Sequence, residues 1–432
     1  MDAGDRVQLP GLDHGVQAVG PSRRADEGRR MSVAASEVQT PPDPTGKKSG
    51  FQLPGWAEKG LIPGVVLAIA ALLPFIPSIG DKANLMQQMA VALAYVVMAL
   101  GLNIIVGFAG LLDLGYVAFF AFGAFAVGWF ASGHFAYVND EKGIHFLVSG
   151  NTLNLPGIHF NFLIVLVIAI VLTTIAGMII GLPTLRLRGD YIAIVTLAFG
   201  EIIGRLAVNL DETTILGGTP VTAGRQGISP VDRIDLPFFE PFTVLDKKPW
   251  YWFALFLVVI VLFVNFRLRD SRMGRAWVAL REDEIAAVAM GVPAVKTKLM
   301  AYASGAAFGG ISGAFLASLL NTVNADQFQF SFSILVLAMV ILGGLGSIWG
   351  VVIGAIVLSI INNYLIPDVI NGVPGDLGLE FDMTQITFAI YGFLLLLMMI
   401  LRPQGLLPER RHKMELTEHA ETTDETLYTA RA

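Results

Sequence analysis

Two acids and a base stand where charge is most costly in an apolar chain. Asp113 lies in GFAGLLDLGYVAFF and Glu201 in TLAFGEIIGRL, with Arg205 one helical turn beyond Glu201. An ionised side chain at the centre of a hydrocarbon layer costs at least about 2.5–3.5 kcal/mol, so such residues face a bundle interior or water. Glu201 and Arg205 share a helical face and can neutralise one another as a structural pair, or line a polar route. Asp113 follows Gly107 and Gly110 and precedes Leu114-Gly115-Tyr116. It either caps a helix start, where the dipole favours an anion, or lines the same route. Asn103, Asp113, Tyr116, Thr196, Glu201, Gly343, Gly344 and Gly346 are therefore the candidates for a translocation pathway. A second concentration of charge, Arg281-Glu282-Asp283-Glu284, opens Ile285-Ala286-Ala287 and is closed by Gly291 and Pro293. Ile285, Val288, Ala289 and Val292 recur at i, i+3, i+4 and i+7, which predicts a short amphipathic helix. Such a helix either lies at the lipid surface or docks on a partner. The three acids favour docking, because anionic inner-leaflet lipids repel them.

Other chemistry finds no support. The chain has no cysteine, which removes disulfides, thiolate metal sites and cysteine nucleophiles together. Its six histidines fall in tails and loops, without the two-histidine helical spacing of a metal site. The nearest phosphate-loop lookalike, Gly46-Lys47-Lys48, has Pro41 where the first glycine should stand and no Ser or Thr after the lysine. No nucleophile elbow or acid–base–nucleophile set is present, so neither hydrolysis nor other catalysis is expected of this chain. The net charge of −6 gives a nucleic-acid partner no electrostatic footing.

The elements that position these residues are set by composition. Of 432 residues, 54% are hydrophobic and only 15% charged, against about a quarter charged in soluble domains. The charges crowd into the first 60 and last 31 residues, and long apolar runs recur between. Crossing a hydrocarbon core takes about 20 such residues, so an all-α, polytopic helical membrane protein is expected. Transmembrane β-barrels are excluded, since their strands are about ten alternating residues long. Spans centre on 61–80, 86–106, 110–132, 161–183, 190–209, 250–266, 299–320, 331–364 and 384–402. The run 331–364 would be roughly 51 Å long as one helix, and Gly343, Gly344, Gly346 and Ser347 sit near its middle, so it divides to give ten spans. Short-loop Lys/Arg bias then places Arg186, Arg188, the loop 267–298 and both termini on the cytoplasmic side. Residues 1–60 and 403–432 read as polar cytoplasmic tails, the first disordered, flanking a membrane domain over 61–402. The glycines at 101–123 and 343–354 are either ordinary packing positions or matched breaks in two inverted halves.

Three stretches carry a resemblance: GLNIIVGFAGLLDLGYVAFFAFGAF (101–125), LRLRGDYIAIVTLAFGEI (185–202) and GRAWVALREDEIAAVAMGV (274–292). They resemble the inner-membrane permease of branched-chain amino acid ABC importers, the LivM type, from about Leu85 to Leu401. The resemblance implies a fold similar to the vitamin B12 importer permease, with ten helices in two inverted halves. It implies residence in the bacterial cytoplasmic membrane beside a related LivH-type permease, with two cytoplasmic ATPase subunits and an extracytoplasmic substrate-binding protein. ATP is then used by the partners, and this chain needs no cofactor. Glu284, Ala286, Ala287 and Gly291 match the family's Glu-Ala-Ala and glycine coupling motif, with Ile285 intervening. Arg281, Glu282, Asp283 and Ile285 complete the expected ATPase-coupling segment. The stretch TPVTAGRQ, which separates Gly217-Gly218 from Gly227-Ile228, departs from the family pattern, as does the N-terminal tail. Urea and short-amide importers use similar permeases. A different class, an ion-coupled secondary transporter, would rest on Asp113 and Glu201 alone.

Overall fold

A computed structural model of the chain describes residues 62–76, 80, 82–136, 142–148, 155–185, 191–215, 218–236, 241–370, 387–402 and 405–407. Both expected tails, apart from 405–407, lie outside these residues, as do Arg186, Arg188, Gly217 and the loop 371–386. The described helices are α1 (Ile62–Leu72), α2 (Ala83–Asn103, continued as a π-helical turn Ile104–Phe108), α3 (Val117–Phe130), α4 (Phe162–Thr184), α5 (Tyr191–Asn209) and α6 (Lys248–Asp270). They continue as α7 (Arg272–Glu282), α8 (Glu284–Ala289), α9 (Ala294–Leu320), α10 (Phe330–Gly343), α11 (Ile348–Ile360, extended by the π-helix Ile361–Ile370) and α12 (Thr387–Leu401). Six of these segments are long and apolar enough to cross a membrane, namely 83–108, α4, α5, α6, α9 and 348–367. Helices α3 and α10, 14 residues each, are shorter.

Helix α9 packs along α4, α3 and α2, while α2 packs also on α6, α10 and α11. Lipid tails are as apolar as leucine, so close van der Waals contact between helices must supply the association. Small residues in α9, ASGAAFGGISGAFLAS, allow it. At the α3–α9 crossing Gly123 meets Gly310 backbone to backbone, and a Cβ on Gly123 would collide with the Gly310 carbonyl. Helix α4 turns Leu163, Val167, Val171, Ile175, Ile179 and Leu182 outward as one stripe, the spacing of a single helical face.

The run 331–364 breaks where the glycines lie. Gly344 and Gly346 take φ of +113° and +83°, and Ser347 Oγ accepts from Gly350 N at 3.1 Å to start α11. The end carbonyls of α10 are filled from the far end of the chain, by Leu406 N on Leu342 O at 2.9 Å and Leu407 N on Gly343 O at 3.2 Å. The third span differs from expectation, since 109–116 is non-helical and α3 starts only at Val117.

The all-α expectation also needs a small amendment. At the end of the bundle where α3 finishes and α4 begins, β1 (Ala131–Ser132), β2 (Ile144–Phe146) and β3 (Ile158–Phe160) form a sheet ordered β1-β3-β2. β3 runs antiparallel to β1 and parallel to β2. A hairpin of β4 (Thr214–Ile215) and β5 (Thr219–Pro220) lies in the connection after α5. These strands are two or three residues long, too short for a period-two pattern to register in the sequence.

Candidate functional site

The short helix expected after the charged turn is present as α8, and a second helix, α7, precedes it across a turn at Asp283. Ser271 Oγ accepts from Met273 N and Gly274 N at 3.1 and 3.2 Å, starting α7. α7 turns Trp277 and Leu280 inward, and Trp277 Nε1 donates to Thr297 O in α9 at 2.7 Å. Asp283 then leaves the helix at φ −150°, ψ 106°, and its Oδ1 accepts from Ala286 N at 3.0 Å to cap α8. A short carboxylate that competes for backbone N–H groups explains the interruption. The chain leaves α8 through Gly291 at φ +91°, which nothing crowds, so backbone conformation rather than space calls for glycine there.

The coupling candidates therefore divide. Ala287 is buried. Glu284 bonds Lys298 Nζ at 2.7 Å, tying α8 to the N-terminal part of α9. Glu282 and Ala286 are exposed, and so are the apolar Ile285 (82%) and Met290 (86%), with Val288 beside them. Arg281 points the other way, into the bundle, where its guanidinium donates to the Gly107 carbonyl and its stem lies over Gly110.

The pathway candidates form two groups. In the first, Asn103 is fully buried and its Oδ1 accepts from Gly346 N at 2.9 Å, joining the α2 break to the α10–α11 break. In the second, Asp113 Oδ1 accepts from Gly115 N at 2.8 Å, and Thr196 Oγ1 of α5 accepts from Leu114 N at 3.0 Å. Asp113 thus holds the turn before α3, while Ser333 Oγ from α10 takes Val117 N at 3.0 Å and caps the helix itself. Tyr116 is fully buried and donates to Gly305 O at 2.7 Å. Glu201 lies apart, exposed on α5 with Arg205 at 3.9 Å. None of these residues lines the 540 Å³ cavity between α2, α9 and α10, whose lining combines Gln87, Gln327 and Asn363 with Tyr95, Phe120 and Phe332. Ser333 escaped the sequence reading because its partner is distant in the chain, and Lys298 because its partner lies on the preceding helix, where no helical spacing links the two.

At the stranded end His159 Nδ1 and Asp232 Oδ2 are 2.7 Å apart, and the His145 ring stacks on His159 at 5.3 Å. Burial pulls the His159 imidazolium down. The hydrogen bond and charge of Asp232, aided by the Pro156 carbonyl, outweigh that and hold it above the ordinary value of 6.5.

Residues 84–401 match the family model of the branched-chain amino acid transport system permease component. The chain belongs to that permease family. Similar relatives are the high-affinity branched-chain amino acid transport system permease proteins LivM of Salmonella typhimurium and Escherichia coli. The first is 35% identical over 371 residues, covering 81% of this chain and 75% of the relative. The second is 36% identical over 377 residues, covering 82% and 76%. LivH of Escherichia coli is 27% identical over 156 residues, covering 36% of this chain and 46% of LivH. No solved structure matches. Family membership and the six apolar helices make this a multi-pass membrane protein. The permease match runs from α2 to the end of α12 and leaves α1 outside it.

Proposed function

We propose that this chain is a permease subunit of an ABC importer for branched-chain amino acids, worked by ATPase subunits that dock on α8. The exposed apolar pair Ile285 and Met290 carries the reading. Two large apolar side chains, one on the capped six-residue helix and one at its C-cap, amid Glu282, Asp283 and Glu284, suit a partner's pocket better than water. On this reading α8 is cytoplasmic, in keeping with the basic residues of 267–298, and both termini are cytoplasmic. With α7 and α8 both set at the cytoplasmic face, the other ten described helices are the spans, in two inverted halves like those of the vitamin B12 importer permease. In favour of the halves, α3 and α10 hold corresponding places after α2 and α9, are equally short, and both follow irregular segments.

Glu201 and Arg205 on the outer face of α5 are costly against lipid, which supports that face as the seat of a second, LivH-like permease. An extracytoplasmic binding protein delivers substrate at the stranded end. Uptake of labelled leucine by proteoliposomes holding both permeases, the ATPases and the binding protein tests the assignment. Wild type should accumulate leucine only with ATP, and Ile285→Asp combined with Met290→Asp should lose the ATPases on purification. Retention of the ATPases and of uptake by that variant would remove α8 as the docking helix.

A further inference from the structure

Arg281, the pair Asn103 and Gly107, and Gly346 come from three separate stretches of the chain and meet in one hydrogen-bonded line. The Arg281 guanidinium, at the end of α7, donates to the Gly107 carbonyl in the π-helical turn of α2. One turn back, the Asn103 carboxamide accepts from Gly346 N, in the glycine turn between α10 and α11. Gly107 is where the parts touch: a Cβ there would collide with Asn103 Oδ1 and lie 2.6 Å from Gly346 N. Asn103 Nδ2 is buried without an acceptor, so the carboxamide's bond to Gly346 is the one that orients it.

The π-turn closes the end of α2, and the glycine turn separates α10 from α11, so both are interruptions of regular helix at which the backbone can change direction. The block that holds Arg281 is stiff by contrast: Trp277 is bonded to Thr297 O at 2.7 Å, Glu284 to Lys298 at 2.7 Å, and Asp283 caps α8. A displacement of α8 therefore reaches the α2 break through Arg281, and the α10–α11 break through Asn103. A passive helix cap would account for the Arg281 contact on the end of α2, but not for the onward bond from the same turn to Gly346.

We infer that Arg281 and Asn103 are positioning residues that carry movement of the α7–α8 block to both helix breaks at once. This rests on the permease reading above. The test uses the complete importer in proteoliposomes and measures leucine moved per ATP hydrolysed. Arg281→Gln and Asn103→Leu should each lower that ratio at least about fivefold, and the double variant should fall no further than the worse single one, because both cut one line. A merely structural role would reduce the amount of complex and both activities together, leaving the ratio unchanged. The absence of cysteine supplies a second readout. Maleimide labelling of Leu345→Cys, in the glycine turn, should change rate between nucleotide-free and ATP-trapped complexes, and Arg281→Gln should abolish that change. If Arg281→Gln fails to accumulate, Arg281→Lys, which keeps the charge but loses the fork, takes its place. Unchanged ratios in both single variants, multiplying losses in the double, or a nucleotide-dependent labelling change that survives at Arg281→Gln would each overturn the inference. Failure of the wild-type complex to couple leucine uptake to ATP would instead reject the permease assignment.

Discussion

His159 and Asp232 fasten β3 to the connection between α5 and α6, a join that no sequence spacing announces. Because His159 titrates above its ordinary value in the fold, stability from the pair is fully present below about pH 6.5 and is lost as pH rises through the folded value. His134 also binds the Pro220 carbonyl at this end of the bundle, at 2.9 Å. Burial chiefly lowers its value, so its contribution has the opposite sign. The comparison that isolates His159 is therefore wild type against Asp232→Asn. Hydrogen exchange at 156–160 and 228–234 should accelerate beyond the intrinsic chemical rate between about pH 5.5 and about pH 8.5, and that excess should shrink in the variant. An equal excess in both proteins would assign the pH response elsewhere. Residue chemistry also redirects the obvious test of α8: Glu284→Lys breaks an internal ion pair with Lys298 before it touches any partner, whereas Ile285 and Met290 have no such internal duty.

Helix α9 depends on backbone contact rather than on bulk. A methyl group at Gly123 has the Gly310 backbone in its way, and overpacking of this kind costs about 1–3 kcal/mol. Gly123→Ala should lower the unfolding midpoint of the purified protein, while Gly64→Ala on α1, where nothing lies within 4 Å, should leave it near wild type. Equal midpoints for the two variants would mean that the α3–α9 crossing is slack. The lengths of α3 and α10 follow from their starts. Each begins after an irregular segment, and the hydroxyl of one, Ser333, satisfies the first free N–H of the other, Val117.

At the scale of the whole bundle, the outer faces of this permease differ in kind. The stripe on α4 is wholly apolar, whereas α5 carries Glu201 and Arg205 among apolar residues. Lipid suits the first face and a protein neighbour the second. Glu201→Leu should reduce recovery of the second permease on purification, and exchanging the charges as Glu201→Arg with Arg205→Glu should restore part of it. Recovery unaffected by Glu201→Leu would turn α5 toward lipid or water.

Composition and apolar run length by themselves determined that this is a helical membrane protein, because burying a backbone in hydrocarbon requires internally satisfied helices and about 20 apolar residues for each crossing. The glycines at 343–346 announced a break, since their backbone freedom is written in residue type. The charged turn before α8 and the glycine that ends it were legible for the same reason, since capping and turn signals are local. Tertiary structure alone decided that Arg281 turns inward, that Ser333 rather than Asp113 caps α3, that Glu284 is committed to Lys298, and that Asn103 bridges two broken helices. Three of these bonds join residues far apart in the chain and the Glu284–Lys298 pair joins two successive helices, and neither periodicity nor propensity carries information about partners brought together by packing.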